Sequence, residues 1–119
     1  MNYLVIILYF RAPIGGLQHN VLATARVATE AGWKVSVICP PGLFQDNYLK
    51  PAGIHFQAVD FQSESSIADA KRLLGQASVI HAHPGPGRAC ALDAAADSGA
   101  PVVFTIHGAW FDNVQLFAP

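Results

Sequence analysis

The chain has 119 residues, 52% hydrophobic and 13% charged, with 7 Lys+Arg against 8 Asp+Glu. High hydrophobicity with almost no net charge excludes a disordered chain, and the absence of a basic excess removes the electrostatic footprint on which nucleic-acid binding rests. The longest apolar run, Tyr3 to Phe10, is far short of the roughly 18 residues of a membrane-spanning helix, and a chain of this size supports one core.

That run, preceded by no Lys or Arg and followed by Arg11-Ala12-Pro13, reads as a strand rather than as a signal peptide. Tyr3 to Tyr9 is apolar at every position, the pattern of a strand covered on both faces in a parallel sheet. Pro13 and Gly15-Gly16 end it. From Leu17 the period becomes helical, with Leu17, Val21, Ala25 and Ala28 on one face and Gly32 at the close. Lys34 to Cys39 reads as a second strand stopped by Pro40-Pro41-Gly42. A short helix is expected over Asp46 to Lys50, and Ile54 to Val59 alternates like a strand nearer a sheet edge.

Ser65 and Ser66 are the expected N-caps of a helix through Ile67, Ala70, Leu73 and Leu74 that ends at Gly75. Ser78 to Ala82 is a fourth strand. The turn-rich His83-Pro84-Gly85-Pro86-Gly87 leads into an alanine-rich helix from about Arg88 to Ser98 with Gly99 as its cap, and Val102 to Ile106 is a fifth strand. Strands alternating with helices specify a doubly wound α/β sheet, and right-handed crossovers give the order 3-2-1-4-5. The order reverses between the first and fourth strands, where ligands bind outside the carboxyl ends. Arg11 to Gly16, His83 to Arg88 and His107-Gly108 fall there.

Chemistry at that edge can be read from residue types. Gly15-Gly16 precedes a helix, where backbone N–H groups and the helix dipole favour an anion such as phosphate; a tight turn explains the pair equally well. Neither G-x-G-x-x-G nor G-x-x-x-x-G-K-[ST] occurs, which removes the strongest support for a dinucleotide or P-loop site. Arg88 can add a charge-assisted contact to an anion, with an exposed first-turn arginine as the plain alternative. His81, His83 and His107 lie at the ends of neighbouring strands and could hold a metal. A barrel-type metal hydrolase with an H-x-H motif needs about 250 residues, and no further ligand cluster completes the set. His107, at a strand end before Gly108, is the functional candidate. His19 and His55 are expected on surfaces, and Cys39 and Cys90 as buried thiols in a reducing cytoplasm.

Four segments in order, Arg11-Ala12-Pro13-Ile14-Gly15-Gly16-Leu17, Ala31-Gly32-Trp33-Lys34-Val35, Val79-Ile80-His81-Ala82-His83 and Pro101 to Gly108, resemble the N-terminal domain of family 4 (group 1) glycosyltransferases of the GT-B fold. The resemblance implies a Rossmann-like, acceptor-side domain over residues 1–119, one part of a retaining enzyme that moves a sugar from a nucleotide-sugar donor to a carbohydrate or lipid-linked acceptor without metal or cofactor. It implies that Gly15, Gly16 and Gly108 lie near the donor phosphates, that His107 touches the donor sugar near the reacting centre, and that Arg11, His83 and Arg88 are acceptor-side candidates. The family's acidic residue shortly after the two glycines is replaced here by Gln18. The nucleotide-binding C-terminal domain does not fit within 119 residues, so the chain alone is expected to be inactive. A cytoplasmic location is expected, with peripheral attachment to membranes in members that use lipid acceptors. Two other readings use the same crevice: a non-catalytic phosphate- or nucleotide-binding module, and a metal-dependent hydrolase built on His81, His83 and His107.

Overall fold

The computed structural model describes residues 2–9, 16–83 and 85–104. Its elements are β1 (Tyr3–Ile7), α1 (Gly16–Glu30), β2 (Lys34–Cys39), a π-helical turn (Gln45–Leu49), β3 (His55–Ala58), α2 (Glu64–Leu74), β4 (Val79–Ala82), α3 (Gly87–Ser98) and β5 (Val102–Phe104). All strand pairs are parallel, and the sheet order is β3-β2-β1-β4-β5. This is the expected doubly wound order, with β1 at the centre.

The uninterrupted apolar run of β1 is explained by its position. Leu4, Ile6 and Leu8 point into one buried cluster with Val21, Leu22 and Ala25 of α1. Tyr3, Val5 and Ile7 point into the other, with Ala70 and Leu74 of α2 and Cys90, Ala91 and Ala94 of α3. Alternate residues of one strand therefore fill two separate cores, which only a central strand can do. The alanines of α3 leave little side-chain bulk between that helix and the sheet, and Gly99 ends it in the left-handed region at φ 77°, its N–H bonded to Ala95 O at 2.7 Å.

Boundaries shift in places. Strand β1 ends at Ile7 and β3 covers His55–Ala58, both shorter than their apolar runs. The N-cap of α2 is Ser63 rather than Ser65 or Ser66: its Oγ accepts the Ser66 N–H at 3.3 Å. The hydroxyl of Ser66 is occupied in turn as the acceptor of the Asp60 N–H at 2.8 Å. Helix α3 begins one residue early, at Gly87. The short helix expected at Asp46 to Lys50 is the π-helical turn, fastened by the buried Gln45, whose Nε2 donates to Cys39 O at 3.0 Å. Strand β5 is described to Phe104, and the rest of the expected fifth strand lies outside the described residues.

Candidate functional site

Because the strands are parallel, their carboxyl ends share one edge of the sheet, and β1 and β4 are neighbours there with connections leaving in opposite directions. Gly16 opens α1 after β1, and Gly87 opens α3 after β4. Both helix N-termini therefore lie beside the reversal point, where partial positive charge collects. Among the sequence candidates, Gly16, His83 and Arg88 are in the described part of this edge. Arg11, Gly15, His107 and Gly108 lie outside the described residues.

The backbone of β4 continues past Ala82 to His83, whose N–H donates to Ile7 O at 3.0 Å. The His83 side chain is 0% exposed, so it packs inside this edge of the sheet. Its ring lies 4.6 Å from that of His81, the spacing of two placing both on one face. Among the described residues no group of three or more His, Cys, Asp or Glu is placed to hold a metal ion. Arg88 is exposed in the first turn of α3, and its guanidinium stacks over the Phe104 ring of β5 at 5.0 Å. That contact reaches across the β4–β5 boundary and presents a cation at the carboxyl edge.

The glycines of the β4–α3 connection serve close packing. A Cβ on Gly87 would stand 2.8 Å from Ile7 Cγ1, so the start of α3 rests directly on β1. Gly85 adopts φ 119°, and a Cβ there would stand 2.9 Å from Tyr9 Cβ. Tyr9 in turn pairs with Phe61, ring centroids 5.8 Å apart and planes at 57°. Neither aromatic was singled out from sequence. The signal was available: alternation along β1 continues Tyr3, Val5, Ile7 to Tyr9, which leaves the strand at its functional end.

Other features lie away from this edge. A cleft of about 780 Å³ opens between the carboxyl-terminal halves of α2 and α3, lined by Lys71, Arg72, Asp93 and Asp97 among others. These helices run antiparallel to the strands, so the cleft faces the amino edge of the sheet. Lys71 is tied across it to Asp93 at 3.0 Å, which holds its ammonium above the usual pKa. Both cysteines are buried and free. Burial pushes the Cys39 thiol up to about 11 against a partial pull from its Gln45 hydrogen bond, and burial raises Cys90 as well. No helix among the described residues is long and apolar enough to cross a membrane.

A family model described as a glycosyl transferase 4-like domain matches residues 15–119. The chain belongs to this family. Among solved structures, MurG of Acinetobacter baumannii is similar at 20% identity and TM-score 0.71, over 98% of this chain and 38% of that one. A glycosyltransferase of Rickettsia africae is similar at 15% identity and TM-score 0.71, over 90% and 30%. An apo saccharopine dehydrogenase (L-Glu forming) of Saccharomyces cerevisiae follows at 16% identity and TM-score 0.62, over 95% and 24%. This glycosyl transferase 4-like chain thus spans about a third of the length of the first two of these structures. No curated protein matches it in sequence. The dehydrogenase among its structural neighbours shows that this sheet hosts more than one chemistry, so function has to be argued from the site.

Proposed function

We propose that this chain is the acceptor-side domain of a retaining glycosyltransferase that moves a sugar from a nucleotide-sugar donor to a carbohydrate or lipid-linked acceptor. The observation that carries the reading is the reversal point of a family 4-like domain: two helix N-termini, a glycine-rich connection and an exposed arginine share one carboxyl edge. Departure of a nucleoside diphosphate builds negative charge, and preorganised backbone N–H groups and dipoles stabilise such charge without a metal. In this reading Gly15, Gly16 and Gly108 let the donor phosphates approach the backbone, His107 contacts the donor sugar, and Arg11 and Arg88 face the acceptor. The buried His83 holds β4 against β1 beneath them. A second α/β domain outside these 119 residues binds the nucleotide, and no cofactor takes part.

The test is sugar transfer by the enzyme that includes that second domain, with a panel of nucleotide-sugars and the anomeric configuration of the product read by NMR. Retention, activity in the presence of EDTA, and a loss on the order of 10²-fold in turnover for His107→Ala are expected. Replacing Gly16 with Val should raise the KM for donor. An inverted product, a zinc requirement or full activity in His107→Ala would overturn the corresponding part of the proposal. Nucleotide binding with no transfer to any acceptor would instead favour a binding module.

A further inference from the structure

At the carboxyl edge the ring of Tyr9 is gripped rather than dangling. A Cβ on Gly85 of the β4–α3 connection would stand 2.9 Å from Tyr9 Cβ and 3.4 and 3.5 Å from its Cγ and Cδ1, and Phe61 of the β3–α2 connection meets its ring at 5.8 Å. Two separate connections thus flank one aromatic side chain, yet 41% of it remains exposed. Holding a large apolar ring in place at the solvent boundary forgoes its burial, and such groups mark binding surfaces more often than packing. Gly85 makes the arrangement specific: its φ of 119° and the 2.9 Å approach leave no room for a side chain where the loop meets Tyr9.

We infer that Tyr9 and Phe61 form a stacking platform for a pyranose ring of the acceptor. This rests on the transferase reading for the word acceptor, and on the geometry alone for the ring. A pyranose has a hydroxylated rim and an apolar face of axial C–H groups, whose slightly positive hydrogens suit the negative face of an aromatic ring. Two rings inclined at 57° make a shallow corner rather than a parallel slot. Such a corner seats the face of a saturated ring and leaves its rim outside, whereas a flat nucleobase is best served by a parallel slot. Polar groups stand at hand for the rim: Asp60, next to Phe61, keeps an exposed carboxylate whose Oδ1 accepts the Gln62 N–H at 2.9 Å. Ligand sites of this mixture, aromatic walls with a few placed polar groups, are the usual kind for small molecules.

The platform can be tested on the full chain without any transfer reaction. Saturation-transfer NMR is run with the methyl pyranosides of glucose, galactose, mannose and N-acetylglucosamine, and with uridine as a flat aromatic control. At least one pyranoside should receive saturation mainly on one ring face. Its Kd should rise about fivefold in Tyr9→Ala and in Tyr9→Leu, which keeps apolar bulk without a ring, and stay within about twofold in Tyr9→Phe. Phe61→Ala should fall between, and melting curves identify any variant that fails to fold. Equal affinity in Tyr9→Leu, displacement of every sugar by uridine, or no binding of any pyranoside would overturn the inference. Pyranoside binding through Tyr9 without sugar transfer by the two-domain enzyme would retain the platform and refute the transferase reading. Transfer with an acceptor KM indifferent to Tyr9→Leu would do the reverse.

Discussion

The two edges of this parallel sheet are built by different rules. At the amino edge the strands are stitched by side chains: Tyr3 Oη meets Ser36 Oγ at 2.6 Å, Ser36 Oγ meets His55 Nδ1 at 2.8 Å, and Ser78 Oγ accepts the Tyr3 N–H at 2.7 Å and donates to Tyr3 O at 2.9 Å. These bonds span β1, β2, β3 and the entry to β4. At the carboxyl edge the connections are glycine-rich and present Tyr9, Leu43 and Phe104 to solvent. One edge satisfies its polar groups internally, and the other spends its residues on shape and accessible rings. The contrast teaches where substitution should cost stability and where it should cost binding.

The largest expected effect comes from the one place where the carboxyl edge is also structural. Gly87→Val forces a branched side chain into the contact between α3 and the fully buried Ile7, and should cost about 3 kcal/mol in urea unfolding, with Gly87→Ala less. At the amino edge, Ser36→Ala removes the partner of a buried tyrosine hydroxyl and should cost about 2 kcal/mol. Adding Tyr3→Phe to it should recover part of that loss, since no orphaned hydroxyl then remains; a double-mutant cycle with zero coupling would contradict the stitched-edge description. A smaller effect follows from Cys39. The unfolded thiol ionises near 9.0 and the folded one near 11, so the folded state keeps a proton that the unfolded state loses as pH rises between them. The contribution is complete below pH 9 and should fall by about 1 kcal/mol at pH 10, a slope missing from Cys39→Ala. Smallest in stability is Arg88→Ala: the exposed stack on Phe104 is worth about 0.5 kcal/mol. Its KM for acceptor should nevertheless rise several-fold. A large loss of stability with unchanged acceptor use would erase the distinction between the edges.

Much of the fold was legible because β1 announces its place. A strand apolar at every position has to be covered twice, and the alternation of elements then leaves little freedom in strand order. Caps were less legible. Ser63, Ser65 and Ser66 are chemically alike as N-caps, and the choice among them was made by a tertiary contact, the Asp60 amide on Ser66 Oγ. At the site, Arg88 was readable from its place in the first helical turn, while its seat on Phe104 depends on β5 lying beside α3. Tyr9 and Phe61 were passed over because aromatics in apolar runs read as core, and nothing local reveals that a ring is held at a surface by a glycine 76 positions away. His83 is the converse case, a polar side chain at a strand end that the fold encloses.

The central position of β1 also sets an order of events during synthesis. Its residues leave the ribosome before the rest of the sheet, and β2 follows soon enough to pair on one side, but the partner on the other side, Val79–Ala82, is made some 75 residues later. Until then the edge of β1 that pairs with β4 stays open, and the slow closure of so long a loop has to precede any reward from the contacts it permits. Half-made chains of this protein are therefore the aggregation-prone species, and a chaperone that recognises extended apolar segments should engage Tyr3 to Phe10 in preference to any later part of the sequence.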